Sequence, residues 1–535
     1  MRRAAESLAL AAFAIVVFAG LTIWSHRVNG AMPLLTDEVV LLWQSRTLAD
    51  GHLSEPVPTH PEFVNVTSIV TRGDRRFGQY PAGFPLVAAP WVAVGAAWLV
   101  NILLGVASLL LMFRFARQLA GARIAWLSAL LLAASPFFVA QSTAYFAQPP
   151  LLVLSLVMLI ALQSRERGAR ATLFAFVAGA AIGYAINVSP FTAITFAAVA
   201  AERWVAARRV APATRAQAAA FAAGLLLGVA AFCAVNAATT GSPWLTGYYD
   251  SRPTERAGFG EDVGEAGHSP QRAVEKTFQR VRLLNEFLFG WPLTSCGFAI
   301  LYLVARLARR ARRGRQVATP AEGIPVLDWD RALMVLFVST LVVFAFWYFH
   351  GNGPSWGPRY LYPALPALIL FTARGLDLLA AWCAPIFGTR ARLAYAVPFA
   401  TAALLFVVGT APFLRRLADD DFLRMRRATR RLVDQLAAEG IDRGTIFVGV
   451  VGRTSFNAQI GLLGATGFSD SRPLVFARDR GGDANAAFVA WRGGGPAYEA
   501  SFVEETFQWR IEPFGGEPRF RPGAASRGGP AERRP

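Results

Sequence analysis

The sequence predicts a mainly α, polytopic membrane protein with a small soluble appendage. Three observations lead there. Hydrophobic residues make up 54% of the 535-residue chain and charged residues only 16%, against a usual figure of about 25% charged in soluble domains. A single soluble core rarely grows beyond about 250–300 residues, so a water-soluble chain of this length needs several charged domain surfaces. Finally, the apolar residues fall in runs close to the ~20 residues that cross a bilayer.

About eleven transmembrane helices are expected. The first, Leu8–Trp24, follows Met1-Arg2-Arg3. It resembles a signal peptide, but no small-residue cleavage site precedes Ser25-His26-Arg27, so it reads as an uncleaved helix. The others are expected near 97–113, 124–142, 149–162, 172–187, 190–202, 216–238, 286–305, 332–349, 360–382 and 393–413. Pro81–Ala97 reads as a re-entrant or interfacial helix within a large first loop, feeding the second span.

Arginine sets the orientation. Arg2/Arg3, Arg114/Arg117/Arg123, Arg165/Arg167/Arg170, Arg203/Arg208/Arg209/Arg215, Arg306–Arg315 and Arg390/Arg392 fall on alternate connections. Those connections are expected to be cytoplasmic. The outer side then receives the first loop (about 26–96), a second long loop (about 241–285), the short His350–Arg359 turn, and everything after 413. All five histidines fall there. One feature resists this assignment: Arg415–Arg431 is strongly basic, although long terminal domains are exempt from the rule.

The net charge of +18 could suggest nucleic acid. Lys276 is the one lysine, however, and the arginines cluster between apolar runs, which is a membrane pattern. No nucleic-acid partner is expected. Cys233, Cys296 and Cys383 lie in apolar runs and form neither a disulfide framework nor a CxxC metal motif.

Beyond the spans, 414–439 reads as an amphipathic surface helix ending at Gly440. The runs Thr445–Val451, Pro473–Ala477 and Ala487–Trp491 read as strands of a small α/β domain. The expected organisation is a transmembrane domain over 1–413, an extracytoplasmic α/β domain over 414–514, and a Pro/Gly/Arg-rich disordered tail over 515–535.

The apolar spans read as nearly free of ionisable groups, and no internal repeat is visible. Both argue against an ion-coupled transporter. The polar residues gather instead in the outer loops. Thr36-Asp37-Glu38 opens a helix after the first span. Thr36 suits an N-cap, and acids in a first turn complement the helix dipole. A carboxylate where membrane meets water also suits a general base toward a hydroxyl.

Gly73-Asp74-Arg75-Arg76-Phe77-Gly78-Gln79-Tyr80-Pro81-Ala82-Gly83-Phe84-Pro85 makes a turn-rich approach to the bilayer, with cations and Tyr80 at headgroup depth. It reads either as an anchor with snorkelling arginines or as part of a site. Gly357-Pro358-Arg359-Tyr360-Leu361-Tyr362-Pro363 puts Arg359 where the positive-inside rule disfavours it. A guanidinium fixed beside two tyrosines can hold a phosphate through paired donors. The 241–292 stretch, with its lone His268, could form a lid.

In this order the motifs resemble the polyprenyl-phosphate-sugar-dependent membrane glycosyltransferases of the glycosyltransferase C superfamily. That group includes protein mannosyltransferases and bacterial lipid A and lipopolysaccharide-core sugar transferases. The matching pieces are Asp37-Glu38, Gln79–Pro85, Ser135-Pro136-Phe137 and Gly357–Pro363, spanning about 30–410. Two departures stand out. Relatives often carry Tyr-Pro-Pro-Gly where this chain has Tyr80-Pro81-Ala82-Gly83, and Arg-Pro where it has Ser189-Pro190.

The resemblance implies a catalytic carboxylate at Asp37 with Glu38 beside it. It also implies a donor-phosphate site of Arg359, Tyr360, Arg75, Arg76 and Tyr80. Such chemistry needs one base and cations for the departing phosphate, and implies inversion at the anomeric carbon. No cofactor is required. A divalent metal would find ligands in His60, His268 or His350, though nothing in the sequence demands one. The expected partners are a polyprenyl-phosphate sugar donor, an envelope glycan, lipid or protein acceptor, and membrane lipid. The expected place is the cytoplasmic (inner) membrane, with the site on its extracytoplasmic face. The rival readings are a lipid-linked-glycan ligase or polymerase, and a transporter or flippase.

Overall fold

The computed structural model describes residues 2–164, 166–207, 213–313, 328–450, 452–503 and 505–515. The expected tail beyond 515, and Arg165, Arg208, Arg209 and Arg315 of the cationic clusters, lie outside the described residues. The chain forms two compact units. The first comprises Met1–Ala31, Val40–Glu55 and Ser68–Leu423; the second comprises Met32–Val39, Pro56–Thr67 and the chain from Arg424 onward.

The first unit is helical and apolar. Among the described residues six helices are long and apolar enough to cross a membrane: Ala4–Arg27, Leu99–Ala134, Ala169–Ile186, Arg215–Thr240, Arg359–Cys383 and Arg392–Ala418. Pro136–Thr143 and Gln148–Gln163 would make a seventh as a pair bent by 117°. Local chemistry explains where several of these begin and end. Gly121 breaks Leu99–Ala134 with φ 86° and ψ 177°. Only glycine adopts that backbone without strain, and the break divides the run into two helical segments. Ser135 caps the next helix by accepting the Phe138 N–H, with Pro136 at its first position. Thr214 and Gln217 form a capping box at the start of Arg215–Thr240, and Gly241 ends it in the left-handed conformation.

One expected span is corrected. The run 286–305 is not continuous, because Pro270–Phe289 ends at Gly290 (φ 66°) and a new helix starts only at Gly297. Pro292 cannot continue a helix, and Asn285 Oδ1 takes up the freed Thr294 hydroxyl and Cys296 N–H.

A second correction concerns charge. The helices of this unit hold more ionisable groups than hydropathy suggests, and they are paired. Asp330 accepts from Arg306 (2.8 Å), Tyr302 (2.8 Å) and Arg374. Glu202 pairs with its neighbour Arg203, and Arg123 with Asp377. Pairing offsets the desolvation that would otherwise expel such groups.

The core of this unit runs through Phe137, Phe138, Leu152, Phe196, Phe287, Leu333, Tyr362 and Phe371, all buried. Ala169–Ile186 and Arg215–Thr240 approach backbone to backbone. A Cβ on Gly179 would sit 2.0 Å from the Phe221 carbonyl oxygen, and one on Gly228 would sit 2.1 Å from Gly183. Small residues permit such packing where no hydrophobic drive exists between helices.

The second unit is a four-stranded sheet in the order Leu474–Arg478, Gly444–Val448, Ala497–Val503, Gln508–Pro513. The first three strands are parallel and the last antiparallel. Two expected strands appear, with slightly different bounds. Ala487–Trp491 does not: it lies in the helix Gly482–Trp491. Its buried residues, Asn485 and Phe488, are three apart, the spacing of a helix face rather than a strand. Phe488 stacks on Phe63 at 4.3 Å, so the Pro56–Thr67 segment of the first loop is built into this core. Of the expected amphipathic surface helix over 414–439, the first residues close the Arg392–Ala418 helix, and the rest is Asp421–Ala438, which buries Met425, Ala428, Leu432 and Leu436 at helical spacing.

Candidate functional site

Asp37 and Glu38 belong to the second unit and occupy the first turn of the Thr36–Ala49 helix. They are not equivalent. Glu38 is fully buried; one of its oxygens accepts the Leu34 and Leu35 N–H groups at 3.1 and 3.2 Å and pairs with Arg426. Reaching back to amides ahead of a helix is what an acid in the first turn does best. Asp37 is half-buried. The expected catalytic carboxylate, Asp37, and the acid beside it therefore differ in setting: Glu38 is buried in amide bonds and an ion pair, and Asp37 is half-buried.

Arg359 belongs to the first unit and opens a short 3-10 turn, Arg359–Ala364, that leads into Leu365–Cys383. It is 7% exposed. Its guanidinium carbon lies 5.1 Å from the Phe146 ring, 5.6 Å from Tyr360 and 5.9 Å from Phe349. Aromatic faces attract a cation, and low dielectric strengthens its pull on any anion that reaches it.

The turn carrying Arg359 is held on every side. Asn352–Gly353 pairs antiparallel with Gly357–Pro358. Gly351, at φ 66°, leaves room for the Tyr360 ring, which stacks on Phe344 at 4.5 Å and 7°. Gln141 donates to the Trp356 carbonyl at 2.7 Å, and Ser355 donates to Asp420.

Arg280 is the residue that sequence reasoning missed. It is 1% exposed and donates to three backbone carbonyls, Phe344 (2.7 Å), Phe349 (3.0 Å) and His350 (3.0 Å). Burial pushes its pKa down to about 10. Lys276, one helical turn earlier, donates to the Tyr348 carbonyl. A faint signal existed: Lys276 and Arg280 are cations four apart, one face of a helix that begins Ser269-Pro270.

Phe146 comes from an unusual place, the bend between Pro136–Thr143 and Gln148–Gln163. A bend of 117° frees backbone carbonyls, and buried carbonyls need partners. Asn29 donates to Thr143 O (3.0 Å), Asn101 donates to Ala144 O (2.6 Å) and Phe146 O (3.0 Å), and Tyr145 donates to Ala31 O (2.9 Å).

The remaining candidates separate. Ile69–Arg72 and Arg75–Gly78 form a hairpin turned at Gly73 and Asp74, with Gly73 at φ 62°. Alternation along the strand sends Arg75 out and Arg76 in. Arg75 is exposed and near Asp74 at 3.9 Å. Arg76 is buried, bound to Glu55 at 3.0 Å and set over the Trp43 ring. Tyr80 lies farther along, its ring edge-on to Tyr248 at 5.6 Å.

Each of the candidate histidines has its own local partners. His60 bonds Glu62 and packs against Trp491, and His350 accepts the Asn352 N–H. His268 contacts the Ala345 carbonyl at 2.9 Å, and burial lowers its pKa. Among the described residues no three His, Cys, Asp or Glu side chains converge as metal ligands.

With this geometry the class of the protein is defined by its fold: a mainly helical chain, among whose described residues six helices are long and apolar enough to cross a membrane. The chain is similar to ArnT from Cupriavidus metallidurans bound to undecaprenyl phosphate, at 15% identity over 94% of both chains with a TM-score of 0.51. ArnT in the apo state matches at 16% identity with the same coverage and TM-score. The archaeal oligosaccharyltransferase AglB from Archaeoglobus fulgidus, in complex with an inhibitory peptide and a dolichol-phosphate, matches at 11% identity. That match covers 92% of this chain and 70% of AglB, with a TM-score of 0.45. No protein-family model matches the chain, and no curated protein matches it in sequence.

Proposed function

We propose that this protein moves a sugar from a polyprenyl-phosphate donor to a hydroxyl acceptor at the extracytoplasmic face of the cytoplasmic membrane. The observation that carries the reading is a pair of facts about one fold. The chain shares its architecture end to end with ArnT, a protein that binds undecaprenyl phosphate. It also keeps a buried, aromatic-ringed arginine at the head of a late apolar helix.

In this reading the acceptor hydroxyl gives its proton to Asp37 while its oxygen attacks the anomeric carbon. The bond from that carbon to the phosphate oxygen breaks, and the electron pair leaves with the lipid phosphate. One displacement inverts the anomeric centre. A phosphate is a good leaving group, so one base and a well-placed cation suffice. Arg359 holds the phosphate through paired donors, and Tyr360 stands beside it. Glu38 positions the helix that bears Asp37. Arg76, bound to Glu55, braces the hairpin, which leaves the exposed Arg75 as a second cation for an incoming headgroup. The acceptor is an envelope glycan, lipid or protein.

The test is transfer by the purified full-length protein in lipid nanodiscs, using radiolabelled polyprenyl-phosphate hexoses and pentoses with envelope extracts as acceptor. Label should move to acceptor with wild type and not with Asp37→Asn. Failure of every lipid-phosphate sugar to serve as donor would overturn the reading.

A further inference from the structure

We propose that a cavity at the arginine-rich ends of four helices in the first unit binds the phosphodiester headgroup of a membrane phospholipid. The cavity shares no lining residue with the Arg359 turn, and the inference does not rest on the glycosyl-transfer reading. Its volume is about 540 Å³, many times the share of one water, about 30 Å³. Its walls come from the Leu99–Ala134 helix just before the break at Gly121, the end of Gln148–Gln163, the first turns of Ala169–Ile186 and the first residue of Trp329–Ala345.

Arg114 supplies the most specific argument. Three arginines stand on the Leu99–Ala134 helix. Two are spent on carboxylates, Arg117 on Glu6 at 2.8 Å and Arg123 on Asp377 at 2.6 Å. Arg114 is exposed and lines the cavity, and among the described residues it has neither an ion pair nor a hydrogen bond. Gln118 lies four residues on, along the same helix face, and Gln163 lines the adjoining wall. Among the described residues neither side-chain amide makes a hydrogen bond. Glu166 is the one acid among the described lining residues, and it is drawn toward Arg170 at 3.7 Å. The lining therefore keeps a cation for an incoming anion. A guanidinium with neighbouring amide donors is the chemistry that holds phosphate oxygens.

The rest of the lining ties that phosphate to a lipid. Leu119, Ile160, Phe174 and Trp329 form its apolar part. Trp329 is buried and fixed, with the Arg203 guanidinium carbon 4.8 Å from its ring and Phe115 edge-on at 6.1 Å. Tryptophan at the end of an apolar helix marks headgroup depth. A water-soluble anion would leave the apolar walls wet, which is unfavourable. An alkyl chain alone would leave Arg114 unmatched. A glycerophospholipid answers both demands, with its phosphodiester on Arg114 and its glycerol and first methylenes on the apolar wall.

The experiment is native mass spectrometry of the delipidated full-length protein, titrated in detergent with dioleoyl-phosphatidylethanolamine or dioleoyl-phosphatidylglycerol. Wild type should retain a phospholipid that Arg114→Gln binds at least roughly tenfold more weakly, the effect of a charge-assisted hydrogen bond. Gln118→Ala should weaken retention roughly fivefold, the effect of one neutral hydrogen bond. Arg117→Gln removes a cation of the same helix that does not line this cavity, and it should retain lipid as wild type does. The deacylated headgroups, glycerophosphoethanolamine and glycerophosphoglycerol, should not be retained. Equal retention by wild type and Arg114→Gln would overturn the proposal, as would equal losses in Arg114→Gln and Arg117→Gln. Deacylated headgroups held as tightly as the lipids would overturn it in favour of a soluble-phosphate site. The Arg114-dependent retention should persist in Arg359→Ala, and its disappearance there would assign the lipid to the Arg359 turn instead. A protein that retains lipid through Arg114 yet transfers no sugar from any donor would sink the transfer reading and leave the cavity standing.

Discussion

Glu38 and Arg426 stand 388 positions apart in sequence and meet as an ion pair whose side chains are 0% and 2% exposed. A pair sealed this well is a structural lock within the second unit, tying the first-loop segment to the Asp421–Ala438 helix. Removing one partner strands a buried charge, at a cost of about 3–5 kcal/mol, whereas replacing both with apolar groups of similar volume is often neutral. Glu38→Leu and Arg426→Met should each lower the melting temperature of the purified protein, and the double variant should recover most of the loss. Additive losses would show that the two side chains act separately.

Asp37 should behave in the opposite way. Asp37→Asn keeps the size and the cap of the residue and should leave the melting temperature within the ~0.5–2 kcal/mol reach of a helix-cap change. Sugar transfer should fall by roughly 100–10,000-fold, the contribution of a general base. Near-normal turnover in this variant would make Asp37 structural.

Arg359 is expected to recognise phosphate by shape as well as charge. Arg359→Lys should weaken donor use while the chain stays folded, because lysine cannot form two parallel bonds. Equal donor KM and kcat in Arg359→Lys and Arg359→Ala against wild type would remove it from the site and turn attention to Arg75.

Arg280 should act at one remove. It donates to carbonyls of the segment preceding Arg359 and lies 5.9 Å from the Tyr360 ring, so Arg280→Met should loosen that turn. The expected signature is faster hydrogen exchange over Phe344–Tyr360 together with a raised donor KM. Unchanged exchange there would contradict the role.

Sidedness is checked by cysteine accessibility. Cysteines placed at the exposed Glu261 and Ser471 should react with an impermeant maleimide in spheroplasts. Reaction of either only after the membrane is opened would reverse the assignment drawn from the arginine clusters.

Much of this was legible in the sequence, for reasons that differ by element. The apolar runs announced themselves because bilayer crossing demands length and composition together. The Gly357–Pro363 turn was legible because glycine and proline fix backbone locally. Arg280 was hidden: its partners are carbonyls 64 to 70 residues away, and backbone acceptors leave no mark in sequence. Glu38 and Asp37 look alike on paper, and only the long-range partner of Glu38 separates them. The Ala487–Trp491 helix misled because a short apolar run carries no decisive period. Arg76 was separable from Arg75 in principle, since adjacent strand residues face opposite ways, but only once the hairpin was recognised.

The sharp bend at Ala144–Ala147 bears on how the chain is made. A segment that leaves the translocon with several naked peptide carbonyls would be rejected by hydrocarbon, where each such group costs several kcal/mol. The donors that cover these carbonyls, Asn29 and Asn101, both precede the bend in the chain. They are thus synthesised and inserted before it. In an N-to-C insertion the earlier helices would stand ready as a template, and the bend would be solvated by protein as it emerged. Truncated chains ending near 165 should therefore already hold Phe146 in place, long before the ribosome reaches Arg359.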